Sequence, residues 1–232
     1  GVRNESSEQM VNTYDVFQPI DSNIEKLIDE DYNLPSLTLT YLPDFDENLQ
    51  IRFGMSKTIA RPTFRELSPT LFIDVDTDRV VSGSLFLENS EIDNIDLRVE
   101  YYWGFNQFLT AGLFMKDITK PIEEVVNESG DLIITSYQNV PSAELTGFEI
   151  EYERVFEDLL PESDWGSTKE FVVKVNFTTT DSEVKVNQGD TYINPQGSII
   201  DATSLFANGR DTRLQGQSEE IANLQIGWDD VQ

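Results

Sequence analysis

Cysteine and histidine are both missing from the 232 residues of this chain. The first absence removes disulfide frameworks, thiol catalysis and cysteine-based zinc sites from this segment. The second removes the usual general base and the commonest metal ligand. Cations are scarce: 16 Lys and Arg stand against 43 Asp and Glu, a formal net charge of −27. That balance disfavours nucleic acid, whose binding is driven by cationic neutralisation of phosphates. No window approaches the roughly 18 continuous apolar residues of a membrane-spanning helix. β-Barrels escape that test, because their strands are short and apolar on one face only.

What the chain does have is alternation. Ile95, Leu97, Val99, Tyr101 and Trp103 interleave with Asp96, Arg98 and Glu100, and strand side chains point to opposite faces with period two. Leu109, Ala111, Leu113 and Met115 then interleave with Thr110, Gly112 and Lys116. With Gly104, Phe105 and Asn106 as the turn, the register sets Tyr101 opposite Leu109, Val99 opposite Ala111, Leu97 opposite Leu113 and Ile95 opposite Met115. One face is then unbroken hydrocarbon, and a slip of one residue would scramble both faces. Arg98 falls opposite Gly112, which leaves room for its guanidinium, while substitution of Thr110 on the polar face should be mild.

The same pattern recurs, giving about eight strands near 1–13, 34–42, 49–58, 94–103, 107–118, 143–156, 170–184 and 221–228. Short turns follow Tyr41 and Trp103 and a moderate one follows Phe156, whereas long polar connections occupy 14–33, 59–92, 119–142 and 185–220. Tyr41, Trp103, Tyr152 and Trp228 sit at the short-turn ends, where an aromatic belt meets lipid headgroups. The fold class expected is all-β: an antiparallel transmembrane β-barrel segment with short periplasmic turns and long extracellular loops. A soluble acidic β-sandwich would also alternate, and eight strands can close into a small structural or adhesive barrel. Connections beyond about 15 residues are uncommon in compact soluble domains and favour the membrane barrel. The chain begins at Gly1 without a secretory leader, and an exported barrel needs one, so a piece of a longer precursor is expected.

The words of the sequence also carry a resemblance. Residues 52–69, RFGMSKTIARPTFRELSP, resemble the barrel segment of TonB-dependent outer-membrane receptors, in which a strand ends in an S-K-x-x-x-R-P-x-F-x-E-L loop opening. Residues 88–102, 116–123 and 214–228 resemble the same family in the same order. Gly83-Ser84-Leu85 departs from a usual Gly-Asn-Pro, and Glu219-Glu220 from a common Pro-Tyr. The resemblance implies a Gram-negative outer-membrane transport receptor, not an enzyme, that imports a scarce siderophore, metal complex or oligosaccharide. Its implied partners are outer-membrane lipid, the receptor's own plug domain, and TonB through a missing N-terminal segment. The segment would be part of a barrel of about 22 strands, with no cofactor.

Alternation assigns Arg52, Arg98, Glu100, Lys116, Glu149, Glu151 and Lys174 to the polar, lumen-facing side. Both signs interleave there, suited to hydrating a pore, gripping a plug or simply pairing with one another. Arg61 and Arg65 could meet an anionic ligand, or could fix the loop base, with Pro62 stiffening the strand exit. Asp74, Asp76 and Asp78 have the opening spacing of a calcium loop. Arg79 and Leu85 occupy its glycine and glutamate positions, so a solvated acidic loop is the expectation.

Overall fold

The computed structural model describes residues 1–13, 24–76, 78–104, 106–129, 132–156, 169–195, 197–206 and 213–230. In chain order the elements are β1 (Val2–Thr13), β2 (Ile24–Tyr41), β3 (Leu49–Ala60), α1 (Phe64–Leu67), β4 (Phe72–Asp74), β5 (Arg79–Val81), β6 (Ser90–Gly104) and β7 (Gln107–Thr119). They continue as β8 (Ile122–Ser129), β9 (Leu132–Asn139), β10 (Ser142–Phe156), β11 (Lys169–Lys185), β12 (Thr191–Ile193), β13 (Ile199–Asp201), a 3-10 turn at Ala202–Phe206, and β14 (Glu220–Asp230).

One antiparallel sheet of eight strands runs in the order β1-β2-β3-β6-β7-β10-β11-β14, with β1 and β14 as its two edges. Its register is the one the alternation implies: Ile95, Leu97, Val99 and Tyr101 pair with Met115, Leu113, Ala111 and Leu109, and Arg98 pairs with Gly112. The phase holds across the wall. Tyr41, Ile51, Val99, Ala111, Ile150, Phe177 and Ala222 form one cross-strand row over seven strands, all on the apolar face. That face stays open, with Leu97 43%, Leu113 57% and Leu224 68% exposed. A sandwich would cover such a row with a second sheet. At the short-turn end Trp103 lies 6.0 Å from Tyr101 and 5.8 Å from Tyr152, ring centre to ring centre. The β6–β7 turn carries a bulge and Asn106 at φ 53°; Phe105 lies outside the described residues.

β2 starts at Ile24, earlier than the alternation places it, because its first half pairs with β1 rather than with β3. Pairing with β1 covers the whole of β1, whereas β2 meets β3 only from Ser36 to Tyr41. Above Ser36 the two strands part, and the chain leaving β3 fills the opening. Gln9 Nε2 donates to the Pro62 carbonyl at 3.0 Å, and Arg61 bridges to Glu5 and Ser7 of β1.

The long connections also carry strands of their own. β4, β5, β9 and β8 make a small sheet in that order, which packs against the polar-face side of β1–β2 through buried Ile28, Leu67 and Leu87, with Val11, Ile122 and Tyr137 around them. Leu67 is positioned by α1, whose capping box pairs Thr63 N with Glu66 Oε2 at 2.7 Å and Glu66 N with Thr63 Oγ1 at 3.3 Å. Residues after β5 then satisfy the helix-end carbonyls: Gly83 N donates to Ser68 O at 2.8 Å and Ser84 N to Glu66 O at 2.6 Å. So close is this approach that a Cβ on Gly83 would run into the carbonyl oxygens of Arg65, Glu66 and Ser68. Without the usual Asn-Pro after it, this glycine still sets the loop.

Gly83→Ala should therefore cost about 1–3 kcal/mol of loop stability through overpacking. Limited proteolysis of residues 61–90 measures it, with faster cleavage expected in the variant.

Candidate functional site

The polar face carries an ion-pair network centred on Glu100, which is 3% exposed. Two cross-strand rows bring its members together: Arg52, Arg98, Gly112 and Glu149 in one, and Gln50, Glu100, Thr110 and Glu151 in the next. Arg52 and Arg98 are directly opposed like charges, an unfavourable pairing by itself. Glu100 offsets it, 3.5 Å from Arg52 Nη2 and 3.5 Å from Arg98 Nε, while accepting hydrogen bonds from Gln50 Nε2 at 2.9 Å and the Tyr102 hydroxyl at 3.0 Å. The Arg98 Nε contact is an ion-pair distance without hydrogen-bond alignment.

Arg98 then crosses the whole width of β7. Its Nη2 donates to Thr110 Oγ1 at 3.1 Å and reaches Glu151 at 3.4 Å, and its Nη1 lies 3.8 Å from Glu149, two strands away. The crossing passes over Gly112, where a Cβ would come within 3.1 Å of Glu149 Cγ. Thr110 is 3% exposed and holds the guanidinium, so its replacement is expected to cost more than alternation alone suggests.

Of the nine candidate side chains, Arg52, Arg98, Glu100, Glu149 and Glu151 converge. Lys174 stands a row nearer the short turns, 2.7 Å from Glu153. Lys116 lies on the same face, half-buried and without an ion-pair partner among the described residues. Arg61 and Arg65 are elsewhere, in the loop base: Arg61 on Glu5 and Ser7, Arg65 stacked 4.0 Å over the Phe72 ring and 3.9 Å from Asp74. Gln50, Tyr102 and Thr110 belong to the network too; Gln50 stands two residues from Arg52 and Tyr102 two from Glu100, and that spacing was the signal for them. Asp74 Oδ1 accepts from Asp76 N at 2.9 Å and Asp78 turns at φ 54°. Among the described residues no three acidic side chains are placed to hold a metal.

Beyond the apolar band, Gln215 clasps the edge of β8. Its side-chain oxygen accepts from Glu124 N at 3.2 Å, its Nε2 donates to Glu124 O at 2.9 Å, and its own N–H donates to Glu123 Oε2 at 3.2 Å. A side-chain amide thus pairs with an edge strand as a peptide would. Burial pushes the Glu123 carboxyl above the usual carboxylate range, and the Gln215 N–H opposes that rise without cancelling it.

The family described as TonB dependent receptor-like, beta-barrel matches residues 1–231. Among solved structures, the siderophore receptor PirA from Pseudomonas aeruginosa is similar at 14% identity, covering 76% of this chain and 34% of that one, with a TM-score of 0.47. A point mutant of the ferric enterobactin receptor PfeA from Pseudomonas aeruginosa, in complex with enterobactin, is similar at 16% identity, covering 73% of this chain and 28% of that one, with a TM-score of 0.42. The chain thus spans about a third of the length of these receptors. No curated protein sequence matches significantly.

Glu100→Ala leaves Arg52, Arg98 and the Tyr102 hydroxyl without their common acceptor, at an expected cost of about 1–3 kcal/mol, read as a lower unfolding midpoint in detergent. At the clasp, the raised carboxyl makes Glu123 stabilising in its protonated form: that contribution is full below the unfolded carboxylate pKa and is lost as pH rises through the folded value. The protection of residues 122–125, taken relative to intrinsic amide exchange at each pH, should rise on acidification, and Glu123→Gln should remove that rise.

Proposed function

The chain belongs to the TonB-dependent receptor β-barrel family, and on that premise we propose that it forms part of the outer-membrane wall of a receptor for energised uptake of a scarce nutrient. Members of this family are Gram-negative outer-membrane proteins. The observation that carries the reading is an apolar face kept in phase over seven strands and left open, with Leu97, Leu113 and Leu224 exposed, on a wall whose other side is an ion-pair network. Lipid needs the first and a hydrated or plug-filled lumen needs the second. The edges β1 and β14 support a larger barrel, because unpaired backbone groups in hydrocarbon cost several kcal/mol each and must be met by further strands. In this reading the plug docks on the Arg98–Glu100 network, TonB engages a segment outside these residues, and the cargo is a siderophore, metal complex or oligosaccharide. The β2–β3 and β6–β7 turns face the periplasm, and the small inward-packed sheet faces outside.

Two measurements test this. Val99→Arg, in the middle of the apolar row, should impair insertion at a cost on the order of 2–4 kcal/mol near mid-bilayer, whereas Thr178→Ala on the polar face should insert normally; equal tolerance would sink the membrane wall. For orientation, no cysteine needs removing from this segment. In intact cells a membrane-impermeant thiol reagent should label Asp76→Cys and spare Asn106→Cys, and the opposite pattern would invert the topology.

A further inference from the structure

The small sheet ends in β8, which pairs with β9 on one side and with no strand on the other among the described residues. Glu124 fixes the phase of that open side, because both its backbone groups go to the Gln215 side chain and so point away from β9. In an antiparallel strand the N–H and C=O of one residue share a side, and the next residue takes the other. Val126 and Glu128 therefore also turn their backbone groups outward, while Val125 and Asn127 bond β9. No described residue meets Val126 or Glu128 on the outer side. The Val126 side chain is 57% exposed, so the way to this edge is clear.

An open strand edge is a template for another extended chain, and two observations say which kind. The first is the clasp itself: Gln215 meets Glu124 with an amide, N–H on C=O and C=O on N–H, the pairing a peptide group makes. Val126 and Glu128 are the next rungs of the same ladder. The second is charge. Residues 119–142 hold Glu123, Glu124, Glu128 and Asp131 against Lys120 alone, and the connections 14–33, 59–92, 119–142 and 185–220 together hold 21 acidic and eight basic residues. That field draws cationic chains to the edge and repels anionic ones. A second copy of this chain would set like charge against like across the same edge, which is unfavourable.

We propose that the outer edge of β8 is a docking site for an extended basic peptide, which adds a strand at Val126 and Glu128 next to the Gln215 amide. Backbone hydrogen bonds hold such a strand, and its lysine or arginine side chains select it over neutral and acidic chains. The inference rests on the receptor reading only for the outward position of the small sheet, so binding is measured apart from uptake.

The experiment is calorimetric titration of the full-length protein in neutral detergent with a short end-capped peptide that alternates lysine and threonine. One comparison peptide replaces lysine by glutamate, and another keeps the lysines but is N-methylated at every backbone amide. Saturable binding of the unmethylated lysine peptide alone is expected, with hydrogen exchange slowed at Val126 and Glu128. Val126→Pro removes one outward N–H, a change that edge strands tolerate, and should weaken binding about tenfold, the worth of one hydrogen bond. Unchanged protection of the Val125 and Asn127 amides shows that its sheet is intact. Absence of saturable binding, equal binding of the methylated or the glutamate peptide, or full binding by an intact Val126→Pro variant would each overturn the site. A concentration-dependent dimer abolished by Val126→Pro would overturn it in favour of a second copy. A receptor that binds the peptide yet fails the orientation test would keep the site and lose the receptor topology.

Discussion

A strand can show hydrocarbon to one side and charge to the other only if every neighbour keeps the same phase. Backbone hydrogen bonds enforce that phase here across eight strands, from β1 to β14. One slipped residue anywhere would put Arg98 among Leu97's neighbours and Leu113 among the carboxylates. The exposed apolar row, the ion-pair network and the aromatic end of the wall are therefore one fact seen from three places. Lipid makes the constraint stricter than in a water-soluble sheet, because no solvent is present to rescue an unpaired N–H or C=O.

The network on the polar face has a logic of economy. Two arginines face each other across β3 and β6, and neither has a carboxylate directly opposite in its row until Glu149, beyond Gly112. Both lean toward the next row, where Glu100 serves them together with Gln50 and Tyr102. A glycine on the intervening strand turns a contact between neighbours into one that spans β6 to β10. Cross-strand ion pairs are worth little singly in a wet environment. Linked through one buried carboxylate, they tie four strands into a common arrangement.

Much of this was legible from composition and period. The register of β6 and β7, the opposition of Arg98 to Gly112, and the common face of Arg52, Glu100 and Glu151 all follow from counting by two. The first half of β2 was not legible, because neither of its faces is continuously apolar: Asp29, Asp31 and Asn33 stand on one side, and on the other Glu30 and Tyr32 interrupt buried Ile28 and Leu34. The strands within the connections were hidden for a related reason. Their apolar residues are few, and Ile28, Leu67 and Leu87 meet only in three dimensions. Thr110 shows the limit of face assignment, since period two gives the side of a wall and says nothing about who leans on whom.

The clasp made by Gln215 has a meaning in time as well as in space. It joins residues 123 and 124 to a segment that leaves the ribosome more than ninety residues later, according to the separations of 91 and 92 along the chain. The edge of β8 is therefore closed at Glu124 by residues of the lead-in to β14, and a chain cut short before residue 213 would lack the amide that pairs with it.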